Sequence, residues 1–302
     1  MKITLILNGI SLQKKIFYRK FLPELEGAFT LELHETHSKN DAVSLASKAA
    51  DQYVDLVLAA GGDGTINQIV NGMLRGREKE TKLPAVGIIP IGSGNDFARS
   101  VGITNDPQQT IKLIQDFKPR KLDVGKIYYT PFPGQKNTER YFVNVADIGM
   151  GPQVVSKVLD SGRPFGSAVA YYQAIISTFA SYRPMVVKAK SSDWEWKGKM
   201  RTLGIANGKY YGHGICIAPD AKPDDRMFSV FICGNVSVFD FIRYSGKLKK
   251  GKYVRIPEIQ YRETIGIELT SESPCMIEGD GEILGQLPAR VELMSKQLDF
   301  LI

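Results

Sequence analysis

The sequence predicts an α/β protein in which an open, mostly parallel sheet is followed by an antiparallel β-sandwich. Three observations carry this. Through residues 1–125, short apolar runs alternate with stretches of helical periodicity. From Leu122 onward most apolar segments have period two. Twice in the first part, a buried strand runs into a glycine-rich turn that opens a helix. The length, 302 residues, suggests about two domains at roughly 150 residues each.

In order, residues 2–7 form a first apolar strand and 13–25 a mixed helical stretch. Residues 30–34 alternate, and 40–52 carry Ala42, Val43, Leu45, Ala46 and Ala49 at helical spacing. A buried strand at 55–60 leads to a helix at 65–74 with Ile66, Ile69, Val70 and Met73 on one face. A second buried strand at 85–90 precedes helices near Asn95 and at 108–117. Strands alternating with helices imply a parallel sheet covered on both faces, with ligands bound beyond the C-terminal ends of its strands. After Lys118-Pro119-Arg120-Lys121 the period-two segments are 141–146, 185–190, 194–205, 227–233, 264–270, 275–278 and 290–293. Two helical stretches, 166–181 and 237–248, interrupt them, and 131–137 reads as a hairpin connection. The expected division is a nucleotide-binding half over 1–125 and a β-rich half over 126–294.

Hydrophobic residues make up 43% and charged residues 24%, enough apolar surface for two cores and unlike a disordered, collagen-like or disulfide-stapled chain. The excess of 39 basic over 32 acidic residues, +7, suits an anionic partner: nucleotide, nucleic acid or membrane surface. Cys216, Cys233 and Cys275 form no CxxC, and His34, His37 and His213 form no HExxH, which argues against structural zinc and disulfides. A reducing, cytoplasmic compartment is expected. The longest apolar helical stretch, 168–182, is interrupted by Gln173, Ser177, Thr178 and Ser181 and falls short of the roughly 20 residues that span a bilayer.

The chemistry concentrates in a few segments. Gly61-Gly62-Asp63-Gly64-Thr65-Ile66-Asn67 lets main chain approach a ligand closely and turns exposed helix amides toward an anion. Asp63 opposes phosphate unless a divalent cation sits between them; the alternative is a helix cap. No GxxxxGK[ST] and no complete GxGxxG occurs, which disfavours a P-loop enzyme and a dinucleotide-dependent dehydrogenase. The stretch Gly92-Ser93-Gly94-Asn95-Asp96-Phe97-Ala98-Arg99 repeats the strand, glycine, helix order and adds a hydroxyl, an amide and a second acid. Glu278-Gly279-Asp280-Gly281-Glu282 gathers three acids, either an acidic hairpin turn or a proton acceptor. The run 243–255, with Arg243, Lys247, Lys249, Lys250, Lys252 and Arg255, suits an anionic membrane as well as it suits a solvated turn. Only Tyr244 and Tyr253 interleave with those charges, so nucleic acid is not expected.

The pair Gly61–Thr65 and Gly92–Arg99 resembles the diacylglycerol kinase catalytic-domain family, which includes bacterial lipid kinases and eukaryotic diacylglycerol, sphingosine and ceramide kinases. The first motif is also similar to one in NAD kinases and phosphofructokinases; the second is the more specific. The resemblance implies an ATP-dependent lipid kinase with magnesium, most simply one converting diacylglycerol to phosphatidic acid. It implies that ATP is bound by Asn8, Thr36, Gly61, Gly62, Asp63, Gly64, Thr65, Ile66, Asn67, Ser93 and Asn95. Magnesium would be held at Asp63, with Asp96 and Asp123 in its network, and a structural magnesium by Lys222, Asp225 and Met227. Glu282 is the implied proton acceptor, with Asp280 its competitor or partner. Asn144 and Gly149 are similar to positions lining the interdomain cleft. The final residues, 295–302, are implied to return to the first half. The chain departs from the family pattern at Gly9 and at Asp225-Arg226, where relatives carry Asn-Pro and Asp-Gly. An NAD kinase-like enzyme and a catalytically silent lipid- or nucleotide-binding protein are the alternatives; peripheral contact with anionic membrane is expected, and the oligomeric state is unassigned.

Overall fold

The computed structural model describes residues 1–38, 40–78, 81–136, 138–160 and 168–302. The first half comprises β1 (Ile3–Leu7), α1 (Lys14–Ile16), which runs through a wide turn at Phe17–Phe21 into α2 (Leu22–Ala28), β2 (Leu31–Glu35), α3 (Asp41–Asp51), β3 (Leu56–Gly61), α4 (Asp63–Leu74), β4 (Ala85–Pro90), α5 (Asp96–Ser100) and α6 (Pro107–Asp116). The four strands pair in parallel in the order β2-β1-β3-β4. Because β1, β3 and β4 are buried at every residue, their sequences read as continuous apolar runs. Side chains alternate between two cores. Ile6, Val57 and Val86 face α3 and α4 on one side; Leu5, Leu7, Leu56, Leu58 and Ile89 meet Phe17, Phe21 and Leu25 on the other.

The second half contains β5 (Arg120–Pro131), β6 (Glu139–Phe142), β7 (Val145–Gly149), α7 (Met150–Asp160), α8 (Ala168–Ser181), β8 (Met185–Lys190), β9 (Glu195–Met200), β10 (Thr202–Ala206), β11 (Tyr210–Tyr211), β12 (Ile215–Cys216), β13 (Phe228–Cys233), α9 (Val238–Lys249), β14 (Ile259–Thr264), β15 (Gly266–Ser271), β16 (Met276–Gly279) and β17 (Glu282–Leu301). Strand pairs within this half are antiparallel, in the order β14-β13-β10-β7-β16-β17. One core lies between the sheet layers around Phe142, Ile148, Leu203, Phe228 and Ile277. Another lies between the sheet and α7–α9 around Val154, Phe179, Phe231 and Leu248. Ser237 and Asp240 close a capping box at the start of α9.

The end of β17 pairs in parallel with β4, Phe300 opposite Val86, so the C-terminus completes the first sheet. The halves are joined by more than a linker. β5 pairs with β17 along its length and runs unbroken through residue 125, where the sequence pattern places a division. The stretch 194–205 is two strands, not one: β9 pairs with β8, and the chain changes partners at Arg201 before β10 joins β7 and β13. Likewise 264–270 breaks at Ile265 between β14 and β15. α7 was not expected, although Met150, Val154 and Val158 follow helical spacing and are buried. Residue 137 of the expected hairpin and residues 166–167 of the expected helix 166–181 lie outside the described residues.

Candidate active site

β3 and β4 are adjacent parallel strands, so the turns that follow them lie side by side. Ile91 N–H donates to the Gly61 carbonyl at 3.1 Å. The glycines are required by contact: a Cβ on Gly92 would sit 2.3 Å from the Gly62 Cα, and one on Gly61 only 2.2 Å from Thr65 Oγ1. On the far side of the turn a Cβ on Gly64 meets nothing within 4 Å, so this end of α4 opens into a crevice. Asp63 crosses from one turn to the other, its oxygens accepting the amides of Asp96 (3.1 Å) and Phe97 (2.9 Å) at the start of α5. Asp96 in turn accepts the amides of His213 (2.9 Å) and Gly214 (2.7 Å), tying α5 to the turn between β11 and β12. Around Gly94 the groups converge: a Cβ there would lie 3.2 Å from Asp63 Oδ2 and 3.8 Å from both Asp96 Oδ2 and His213 Nδ1. Burial raises the pKa of both carboxyls, and the Asp63 charge raises that of Asp96 further.

This oxygen-donor pair has the donor chemistry that a hard divalent cation takes. Each carboxylate oxygen accepts one amide and keeps lone pairs for a hard cation. Among the described residues no group of three or more His, Cys, Asp or Glu side chains gathers as a metal site.

Asn8, Thr36 and Thr65 come together at the strand ends. Asn8 Nδ2 donates to Thr65 Oγ1 (3.2 Å), and the buried Thr36 hydroxyl accepts the Gly9 amide (3.2 Å). A Cβ at position 9 would press to 2.2 Å from the Thr36 carbonyl, which accounts for glycine there. Ser93 offers its main chain to the His213 ring. At three of the expected nucleotide-contact positions the residue is engaged within the protein. Ile66 is buried in the core beneath α4, and its amide closes the first helical turn onto the Gly62 carbonyl. Asn95 turns its amide into its own loop, accepting the Gly92 N–H (2.9 Å) and donating to the carbonyls of Pro90 and Gly92. Asn67 is fully buried and bound to Tyr141, Arg140, Asn71 and Asp280, so its side chain has no capacity left for a ligand.

The acidic corner lies against α4, one helical turn beyond Asp63. Asp280 accepts four hydrogen bonds, from the amides of Val143, Asn144 and Val145 and from Asn67 Nδ2. It adopts φ +50° and is followed by Gly281 at +82°, in the turn that joins β16 to Glu282 at the start of β17. Glu282 is half-buried and faces Arg140, whose guanidinium it stabilises together with Asp280. Arg140 and the neighbouring Arg75 had no motif to mark them. Their signal is positional, since β6 follows a hairpin whose register was not legible.

Asp123 sits apart from the glycine turns in its contacts. It accepts the amides of Arg226 (2.7 Å) and Lys296 (2.6 Å), and its own amide donates to the Pro223 carbonyl. It thereby clamps the loop carrying Lys222, Asp225 and Met227. Asp225 Oδ1 accepts the Met227 amide (3.1 Å), and Arg226 takes φ +68°, a left-handed conformation that favours glycine. Asn144 Nδ2 donates to the Tyr210 carbonyl (2.9 Å). Gly149, at φ +97°, lies where a Cβ would meet the Arg201 carbonyl at 2.5 Å.

Beyond the His213 turn opens a narrow apolar cavity of about 80 Å³. Val154, Ile175, Phe179, Phe231, Phe241 and Leu248 form its walls, and Tyr171, Tyr211, Gly212 and Asp147 its inner end. Tyr171 packs edge-on against His213, 4.9 Å between ring centroids, so crevice and cavity share a wall. The sequence reading singled out neither Tyr171, Tyr211 nor Asp147.

Residues 2–127 match the model of the diacylglycerol kinase catalytic domain, and residues 145–302 that of the YegS C-terminal NAD kinase beta sandwich-like domain. The chain belongs to the diacylglycerol kinase catalytic-domain family. A diacylglycerol kinase of Bacillus subtilis (strain 168) is 27% identical over 264 residues, covering 87% of this chain and 82% of the relative. One from Staphylococcus saprophyticus is 26% identical over 281 residues, covering 91% and 87%. Among solved structures, a diacylglycerol kinase from Bacillus anthracis superposes with TM-score 0.74 at 24% identity, covering 99% of this chain and 96% of that one. A yeast NADH kinase complexed with NADH superposes at 0.51 and 10% identity, covering 99% and 82%. These two likenesses speak for the fold, an α/β sheet joined to a β-sandwich. As a member of the diacylglycerol kinase family the chain is a kinase of the lipid-kinase type. Among the described residues no helix is long and apolar enough to cross a membrane.

Proposed function

We propose that this kinase transfers the γ-phosphate of ATP to the primary hydroxyl of diacylglycerol, giving phosphatidic acid. The observation that carries the reading is the shared wall. Asp96, at the glycine turns, holds the His213–Gly214 amides, and the adjoining Gly212 and Tyr171 line the apolar cavity. A hydroxyl at the cavity's inner end would thus face the crevice.

In this reading the Gly62–Gly64 and Gly92–Gly94 turns hold the triphosphate through main chain. Asp63 and Asp96 are the residues to hold magnesium, which when bound neutralises phosphate charge. Glu282 accepts the hydroxyl proton as the new O–P bond forms and ADP leaves. It is favoured over Asp280, whose four hydrogen bonds keep that carboxylate fixed as the anchor of the corner. Arg140, close to both Glu282 and Asp280, holds this corner in place. Lys222 and Met227 through their carbonyls, and Asp225 through its carboxylate, are the set for a second, structural magnesium.

The cavity admits only the first carbons of a chain, so the rest must leave toward α9. There Phe239 (83% exposed) and Ile242 (53%) point outward beside exposed Arg243, Lys247, Lys249 and Lys250, a face suited to an anionic bilayer. The test is transfer of label from γ-labelled ATP, with magnesium in detergent micelles, to diacylglycerol, a sphingoid base, ceramide and NAD. Label in phosphatidic acid is expected. Label in NAD alone would favour the NAD kinase-like alternative, and bound ATP with no transfer a silent binder.

A further inference from the structure

Asp147 and Glu278 stand directly opposite each other on β7 and β16, and both are buried, at 1% and 0% exposure. Asp147 lines the cavity. Its two oxygens lie 2.6 and 2.8 Å from the Thr202 hydroxyl, and Tyr211 donates to Oδ2 at 3.2 Å. Position 151 must be glycine, because a Cβ there would fall 1.7 Å from Asp147 Oδ2. Glu278 accepts the Gly281 amide on Oε2 at 2.6 Å, while Oε1 is buried with no hydrogen-bond partner among the described residues. The Tyr211 hydroxyl stands beside both carboxyls. Among the described residues no basic side chain pairs with either.

Two buried carboxyls facing each other without a cation cannot both ionise, so the pair retains a proton. A carboxylic acid kept neutral by an apolar site is a hydrogen-bond donor, and Asp147, which lines the cavity, can present that donor to an acceptor from outside the protein. Tyr171, Tyr211 and Asp147 share the cavity lining, and Tyr171 packs against His213 beside Asp96, which sets the pair toward the crevice side of the cavity. The groups of a diacylglycerol within a few bonds of its free hydroxyl are ester carbonyls, which only accept hydrogen bonds.

We propose that Asp147 and Glu278, coupled through Tyr211, form a proton-sharing carboxyl pair that donates a hydrogen bond to an ester carbonyl of the acceptor lipid and so selects ester-bearing glycerides. The inference rests on the diacylglycerol reading above and names what distinguishes that substrate from ether or amino lipids.

The experiment compares kcat/KM for 1,2-dioctanoylglycerol and its diether counterpart in the same micelles with saturating ATP. The native enzyme is expected to prefer the diester by about fivefold to tenfold, the worth of one buried hydrogen bond. Asp147→Ala should bring the ratio close to one, whereas Asp147→Asn, which keeps an N–H donor, should retain most of it. A native ratio near one, or a full preference surviving in Asp147→Ala, overturns the proposal. The native and Asp147→Asn ratios decide it even if Asp147→Ala does not fold. A preference for a sphingoid base that disappears in Asp147→Asn would also overturn it, since that marks an ionised pair seeking an amine. Absence of transfer to either glyceride removes the diacylglycerol reading together with this inference, whereas equal transfer to both removes the inference alone.

Discussion

The carboxylates of the glycine-turn crevice and those of the apolar cavity differ in what they bind. Asp63, Asp96 and Asp280 each accept main-chain amides, two or three apiece, from a segment distant in sequence. Asp147 instead faces side-chain hydroxyls, and Glu278 leaves an oxygen with no partner among the described residues. An amide cannot give up its proton, so the first set is held in fixed geometry and pins loops. Hydroxyls and a facing acid can reorient and share protons, so the second set can adapt to a ligand. The crevice is built by carboxylates, and the cavity is tuned by them.

Glu282 is the exception on the crevice side, and it offers the sharpest break. Glu282→Gln should lower kcat by about 10²- to 10⁴-fold while the thermal unfolding midpoint stays put. Steady-state kinetics beside calorimetry checks this; unchanged turnover would move the base elsewhere. Asp63→Asn should lower kcat/KM by roughly 10²- to 10³-fold, because it loses both an anion at the phosphates and the tie between the turns. Asp280→Asn should act mainly on the fold. Its four bonds anchor Val143–Val145 and α4, and weakening them should cost about 2–4 kcal/mol in denaturant unfolding. A large loss of kcat with normal stability would instead make Asp280 the proton acceptor.

Smaller effects test the cavity side. Burial pushes Asp147 up to about 7, above the ordinary carboxyl range. Its contribution to stability is therefore complete in acid and declines as pH rises from the unfolded pKa, near 4, through about 7, because the unfolded chain releases the proton first. Asp147→Asn should reduce the fall in unfolding temperature between pH 5 and pH 8 by several degrees; an unaltered fall would show that Asp147 ionises freely. The smallest effect is expected at Arg226→Gly. Relief of the φ +68° strain should raise stability by about 1 kcal/mol, read from urea midpoints, without touching turnover.

Much of this architecture was legible in the sequence, and the omissions have physical reasons. Strands β3 and β4 announce themselves because burial on both faces leaves uninterrupted apolar runs ending in glycine turns. The long β5–β17 ribbon did not, since its register shifts between Gln286 and Ala289 and between Met294 and Leu298 break the period-two pattern. The glycine turns follow β3 and β4 as the pattern places them, whereas the internal hydrogen bonds of Asn67 and Asn95 could not be read in one dimension. Side-chain amides serve as ligand contacts and as internal braces, and only the partner's position separates the two. Asp147 was hidden for a different reason: an acid in a strand reads as solvent-facing, and its cross-strand pairing with Glu278 depends on β7 lying next to β16.

The central claim is that main chain from two neighbouring turns receives the triphosphate beside the headgroup end of the cavity. A crystal structure with a non-hydrolysable ATP analogue, magnesium and a short-chain diacylglycerol tests it most directly. The account predicts β- and γ-phosphates against Gly62–Gly64 and Gly92–Gly94, with the lipid hydroxyl between the γ-phosphorus and Glu282. Phosphates bound elsewhere, or a lipid lying outside the Tyr171–Tyr211 cavity, would contradict it.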